Sequence, residues 1–283
     1  MKVTKKIFSI GIAFVLLGFV LFVVFTAAAP AISATLHALS TTTSTPPPGE
    51  VIPLKPISGL TSLNADVNIQ VNGLINGERA QGDLNAVLTS NDQKKSQVTI
   101  TGDLLGDIAA QVGGSLVGLF TPSKVDLYKV PEGTFIVIKG LFPVCIKTKT
   151  TQSTKQLDDL SPQSLLGMLT GSEVARGKYI GDATLNGVPV KHYVINGDAF
   201  LEAAKKSRDP KLKAFANGLW SAEDADLYVD AKGGYPVAFS GSYSGAYEPL
   251  KFEGDFNVQI QLTGINSNIA VKLPSSCNNP ISP

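Results

Sequence analysis

The sequence predicts an α+β protein: a large, curved antiparallel β-sheet of about ten or eleven strands with a few helices, set behind an N-terminal transmembrane helix. Three observations lead there. Apolar and polar residues alternate in one segment after another, Asn-Gly and Gly-Gly pairs stand between those segments, and the chain opens with an unbroken apolar run.

That run extends over residues 7–29 and contains no acid, base, Asn or Gln. At 1.5 Å per residue it reaches about 34 Å, enough to cross a hydrocarbon core of about 30 Å with some tilt. Lys2, Lys5 and Lys6 precede it and the next lysine is Lys55, so residues 1–6 form a cytoplasmic tip and the rest lies outside. A cleaved signal peptide has a shorter apolar stretch of about 7–15 residues, so the length favours an uncleaved signal anchor. The competing reading is a long signal peptide cut after Ala27-Ala28-Ala29 or Ile32-Ser33-Ala34, which would leave a secreted protein. Either way the main domain is extracytoplasmic.

Residues 30–54 read as a stalk, with Ser40-Thr41-Thr42-Thr43-Ser44-Thr45 and then Pro46-Pro47-Pro48, which favour extended polyproline II. Residues 55–283 are long enough for one large β-rich domain or two small ones, and are read as one ectodomain. The whole chain carries +1; without its three leading lysines it is near −2, which argues against nucleic acid as a partner. Two cysteines, Cys145 and Cys277, lie about 130 residues apart. Outside the cytoplasm they suit a disulfide, worth roughly 4–5 kcal/mol in the chain-entropy model; the alternative is a pair of buried thiols.

Ala65-Asp66-Val67-Asn68-Ile69-Gln70-Val71-Asn72 alternates strictly, the pattern of a half-buried strand. Asn76-Gly77 turns it into a partner over 82–88. Further strands are expected at 96–102, 124–128, 134–138, 143–146, 178–185, 188–195, 224–230, 234–242 and 256–262, mostly in meander order. Helices are fewer. Ser161-Pro162 opens one over 163–170, Asp198 caps another over 199–206, and Asp209-Pro210 opens a third. Residues 103–120 carry an apolar stripe at helical spacing, thinned by Gly106, Gly113, Gly114 and Gly118. A sheet with one apolar face needs a cover, and a few helices over a wide sheet leave room for an apolar ligand.

Catalytic patterns are lacking. The sequence has no Gly-x-Ser-x-Gly elbow, no phosphate-binding glycine loop and no His-Glu-x-x-His, and it implies no cofactor. His192 sits in an alternating strand, where a hydrogen-bonded structural role outweighs general-base work. Asp158-Asp159 suits a helix N-terminus. Asp224, Asp226 and Asp230 share a strand face that is better read as solvated than as a calcium site, so no metal is expected. Lys94-Lys95 and Lys205-Lys206 read as solvated. Trp220 is either core or the cap of a pocket. None of this argues for an enzyme.

Two hairpins resemble a known family. Gly181-Asp182-Ala183-Thr184-Leu185-Asn186-Gly187-Val188-Pro189-Val190-Lys191-His192-Tyr193 is similar to the G-x-x-x-x-x-G-x-x-x-x-H-Y hairpin of the mycobacterial LppX/LprG lipoproteins. Residues 225–237, with Val229-Asp230, Gly233-Gly234 and Pro236, are similar to their following strand-turn-strand unit. The same hairpins occur more loosely in LolA and RseB folds. The resemblance covers roughly residues 55–275 and implies a half-open barrel whose concave face is covered by helices. It also implies a hydrophobic cavity for acyl chains, and binding or transfer of lipid or glycolipid in the cell envelope without catalysis. The chain departs from the family in lacking an acylated cysteine after the apolar run, which favours a tethered protein over a shuttle. The alternative is an envelope-stress sensor or protein-interaction module on the same fold; a structural or adhesive surface domain is a third. The family has no fixed ligand motif, so cavity residues follow from the pattern: Val67, Ile69 and Val71 on the first long strand, Ile108, Val112 and Leu116 on the glycine-thinned helix, and Leu165 and Met168.

Overall fold

A computed structural model describes residues 49–55, 59–75, 77–91, 95–105, 123–140, 143–148, 176–205, 218–247 and 251–281. The strands are β1 (Glu50–Val51), β2 (Ser62–Ile75), β3 (Glu78–Asn91), β4 (Ser96–Thr101), β5 (Lys124–Val130), β6 (Gly133–Lys139) and β7 (Val144–Lys147). Then come β8 (Arg176–Leu185), β9 (Val188–Ile195), helix α1 (Gly197–Lys205), β10 (Leu219–Ala222), β11 (Ala225–Asp230), β12 (Pro236–Tyr247) and β13 (Phe252–Thr263). A 3-10 turn covers Ser275–Cys277.

These thirteen strands form one open, curved sheet in the order β1-β8-β9-β11-β12-β13-β2-β3-β4-β5-β6-β7, with β10 beside β12. Every ladder between them is antiparallel. Two meanders, β2–β7 and β8–β13, are joined where the last strand pairs with the first long one, from Phe252 opposite Ile75 to Thr263 opposite Asn64. The expected strands are all present. The two additions, β1 and β10, have only two and four residues, too short to show a period.

Turn chemistry holds where it is described. Asn186 (φ 50°) and Gly187 (φ 80°) both adopt the left-handed conformation that a two-residue hairpin needs. α1 corrects one expectation: its cap is Asn196, whose side-chain oxygen accepts from the Ala199 N–H at 2.9 Å, and Asp198 lies in the first turn. The helices expected at 163–170 and after Asp209, and residues 106–120 of the glycine-thinned stretch, lie outside the described residues. So do the apolar run at 7–29 and the stalk up to residue 48. Among the described residues no helix is long and apolar enough to cross a membrane.

The alternation sorts the sheet into two faces. One carries the main core, including Val67, Ile69, Leu84, Ala86, Ile100, Leu227, Phe256, Val258 and Ile260. The other carries polar rows such as Asp226, Ser240, Gln259, Asn68 and Asn85 on neighbouring strands. At β5–β7 the outer face is covered too. The chain beyond β13 lays Ile269, Val271 and Leu273 over Tyr128, Val130, Phe135 and Val137. That second cluster explains why β6 reads as a continuous apolar run, since a strand buried on both faces has no polar side.

This C-terminal strap is held at its end. Cys145 of β7 is bonded to Cys277 (S–S 2.02 Å, Cα–Cα 5.2 Å), which decides between the two readings of the cysteines. Beyond it, Ile281 bridges β7 in parallel: Lys147 N–H donates to its carbonyl, and its own N–H donates to the carbonyl of Cys145, both at 2.9 Å.

Candidate functional site

The apolar face of the sheet is the candidate site. One row crosses the sheet through directly opposed residues: Tyr193, Leu227, Phe239, Ile260, Val67, Ala86 and Ile100, on β9, β11, β12, β13, β2, β3 and β4. All are buried except Phe239, which is half-buried against the same core. Strand period 2 puts Val67, Ile69 and Val71 on this face together. Val67 and Ile69 are buried and Val71 is half-buried at the margin. Ile108, Val112, Leu116, Leu165 and Met168 lie outside the described residues, as does the side chain of Trp220.

Towards the β12–β13 turn the face becomes aromatic. Tyr243 stacks on Phe256 at 4.9 Å between ring centroids, and Phe252 meets Phe256 edge-on at 6.2 Å. Between these rings runs a row of glycines, Gly245, Gly254 and Gly73, opposite one another on β12, β13 and β2. A Cβ on Gly73 would run into the Glu253 carbonyl oxygen, and one on Gly254 into the backbone of Gly73. Side-chain-free positions of this kind let a sheet bend sharply, and neighbouring rings cover them. Burial holds the Tyr243 hydroxyl well above the ordinary tyrosine range, and that of Tyr247 in the same direction. The signal for this wall was present as period-2 spacing in 239–247 and 252–260, but nothing local marks it as a ligand surface.

One end of the concave face is closed by the chain itself. β1 pairs with β8 at Glu50 and Val51; Ile52 then turns inward with 3% exposure, and Lys55 N–H donates to the Gly234 carbonyl at 2.7 Å. Leu60, also buried, leads into β2. Alternation could not reveal this, because Ile52, Leu54 and Leu60 lie in no regular element.

The polar residues singled out in the sequence sit elsewhere, on the outer face or in turns. His192 Nε2 lies 2.6 Å from Asp226 Oδ1, and its ring stacks on Tyr228 at 4.6 Å. Ser240 Oγ donates to the other Asp226 oxygen at 3.5 Å. The carboxylate therefore lies between hydroxyl and imidazole, the reverse of the order in which a base activates a serine. Asp224 accepts from Asn196 Nδ2 at 3.0 Å and from the Gly197 N–H, and Asp230 accepts from the Lys232 and Gly233 N–H groups of its turn. Lys205 pairs with Glu202 at 2.7 Å. Asp158, Asp159, Lys94 and Lys206 lie outside the described residues.

Sequence reading missed one charged group. Asp126 on β5 is fully buried on the outer face, accepting from Thr99 Oγ1 at 2.6 Å, with Lys124 and Lys139 each 3.3 Å away. Its period-2 position looks like any solvated strand residue; the side chains of Thr99, Gln97, Lys124 and Lys139 gather around it only in the folded sheet.

No protein-family model matches the chain, and no curated protein matches it. Solved structures similar to it include LprF from Mycobacterium bovis, at 12% identity and a TM-score of 0.41 over 76% of this chain and 90% of that one. A DUF1329 family protein from Desulfovibrio piger follows at 8% identity and 0.25, covering 76% and 89%. A putative outer membrane lipoprotein-sorting protein domain from Vibrio parahaemolyticus has 7% identity and 0.23, covering 77% and 90%. LprF falls in the family that the two hairpins resemble. At these identities and TM-scores the likenesses carry no argument about how this chain works.

Proposed function

We propose that this is a non-enzymatic lipid-binding protein of the cell envelope, anchored by residues 7–29 and holding the acyl chains of a lipid, glycolipid or lipoprotein against its concave face. One observation supports it above the rest: the apolar row from Tyr193 to Ile100 runs unbroken across seven strands, and half-buried Val71, Ile75 and Tyr235 fringe it. Acyl chains leaving water for such a surface gain about 0.8 kcal/mol per buried methylene. Lipid transport or envelope maintenance is the role this suits. Native mass spectrometry of the purified protein, followed by organic extraction, tests it: a co-purified lipid is expected, and a lipid-free protein with a filled core would end the proposal.

A second reading, an envelope-stress sensor or protein-interaction module, draws on the edge of β8. On that side β8 is paired through Arg176 and Gly177, and a bulge beyond leaves Tyr179 and Ile180 48% and 51% exposed. It predicts a stable protein partner in a membrane pull-down and little bound lipid.

A further inference from the structure

The segment that closes the concave face differs in kind from everything else on it. Ile52 and Leu54 belong to no long strand, yet Ile52 is part of the main core and Leu54 packs against it. Beneath Ile52 the sheet has no side chain of its own. The position is Gly177, and a Cβ built there would lie 3.1 Å from Ile52 Cδ1 and 3.4 Å from Ile195 Cγ1. Ile52 therefore fills a notch in the wall beside Ile195 that β8 leaves open.

Among the described residues the attachment of this segment is slight. Its ladder with β8 is two residue pairs, where β2 and β3 share a ladder from Ser62–Asn91 to Ile75–Glu78. To this are added the Lys55–Gly234 backbone bond and a 3.4 Å contact from Arg176 Nη1 to the Gly49 carbonyl. The C-terminal strap, by contrast, is tied by a disulfide and two backbone bonds to β7.

We propose that Ile52, with Leu54 packed on the core near it, is a built-in occupant: it fills the seat beside Gly177 and Ile195 that an aliphatic acyl chain takes when lipid binds. The inference rests on the lipid-binding reading above and adds the place and the competitor. The chemistry of exchange is even-handed. Branched aliphatic side chains give way to methylenes, the apolar wall stays covered in both states, and a polar ligand would gain nothing there. An occupant that must leave first lowers apparent affinity by the fraction of time the seat is open, so its removal raises labelling and its fixation abolishes it.

The test uses the full chain in membranes with a diazirine-bearing palmitate, photolysed and mapped by peptide mass spectrometry. Val51 and Arg176 are directly opposed, so V51C/R176C provides a lock across the ladder. Labelling of peptides from β9 and β11 is expected in the wild type. It should rise several-fold in Ile52→Ala and fall by about ten-fold or more in the oxidised lock, returning on reduction. Wild-type protein under the same reductant controls for opening of Cys145–Cys277. If the oxidised lock is labelled as strongly as wild type, the occupant idea is overturned and the lipid-binding reading stands. Absence of labelling in every form, Ile52→Ala included, overturns both.

Discussion

Gly254 of β13 faces Gly73 of β2 across the sheet so closely that neither position has room for a Cβ. A Cβ at either position would meet the other strand's backbone and force the two strands apart. Gly73→Ala should therefore cost about 1–3 kcal/mol, as overpacking does, with an unchanged m-value in urea unfolding. Gly187, whose Cβ would meet open space, shows the contrast. Replacing it by Ala strains only a turn, at roughly 1 kcal/mol. Equal losses at the two sites would mean that the close strand approach at Gly73 does not set the cost.

The Cys145–Cys277 bond closes a sequence separation of 132 residues and holds the strap that buries Tyr128 and Val137. Cys277→Ser should lower stability by roughly 2–5 kcal/mol. It should also open the chain after Thr263 to limited proteolysis before the rest unfolds. Simultaneous loss of both parts would show that strap and sheet unfold as one unit.

Asp126 is buried between two lysines whose side chains are 32% and 43% exposed. Those ammonium groups can turn to water, so the loss on Asp126→Ala comes from the Thr99 and Gln97 partners and the cavity. About 1–3 kcal/mol is expected. Asp126→Asn keeps an acceptor for Thr99 and should cost less. Thermal unfolding of the two variants separates the hydrogen bond from the charge, and equal losses would assign the effect to charge.

Burial, with the nearby Asp126 carboxylate adding to it, pushes the Tyr128 hydroxyl up to about 12, from 10.0. Tyr243 moves the same way through burial alone. A folded-state value above the unfolded one favours the protonated, folded form. The Tyr128 contribution is therefore complete below pH 10 and is lost as pH rises towards 12. Alkaline unfolding followed by tyrosine absorbance should steepen in that window, and Tyr128→Phe should make it shallower. An identical alkaline profile for the variant would contradict this.

What could be read from the sequence was whatever is local and periodic. Val67, Ile69 and Val71 stand on one face because a strand alternates, and Asn186-Gly187 turns because its residues tolerate positive φ. The strand boundaries of β9 and the antiparallel class follow from the same rules. Residues far apart in the chain decided the rest. Pairing of β13 with β2 fuses two meanders into one sheet, and no single segment carries that information. Ile52 is core because it meets Gly177 and Ile195, and Val137 is buried in a cluster with Ile269, Val271 and Leu273 from beyond β13. Burial is a property of what lies on top of a side chain. Sequence by itself determined the faces of this protein; the tertiary structure decided which of them are covered, and by what.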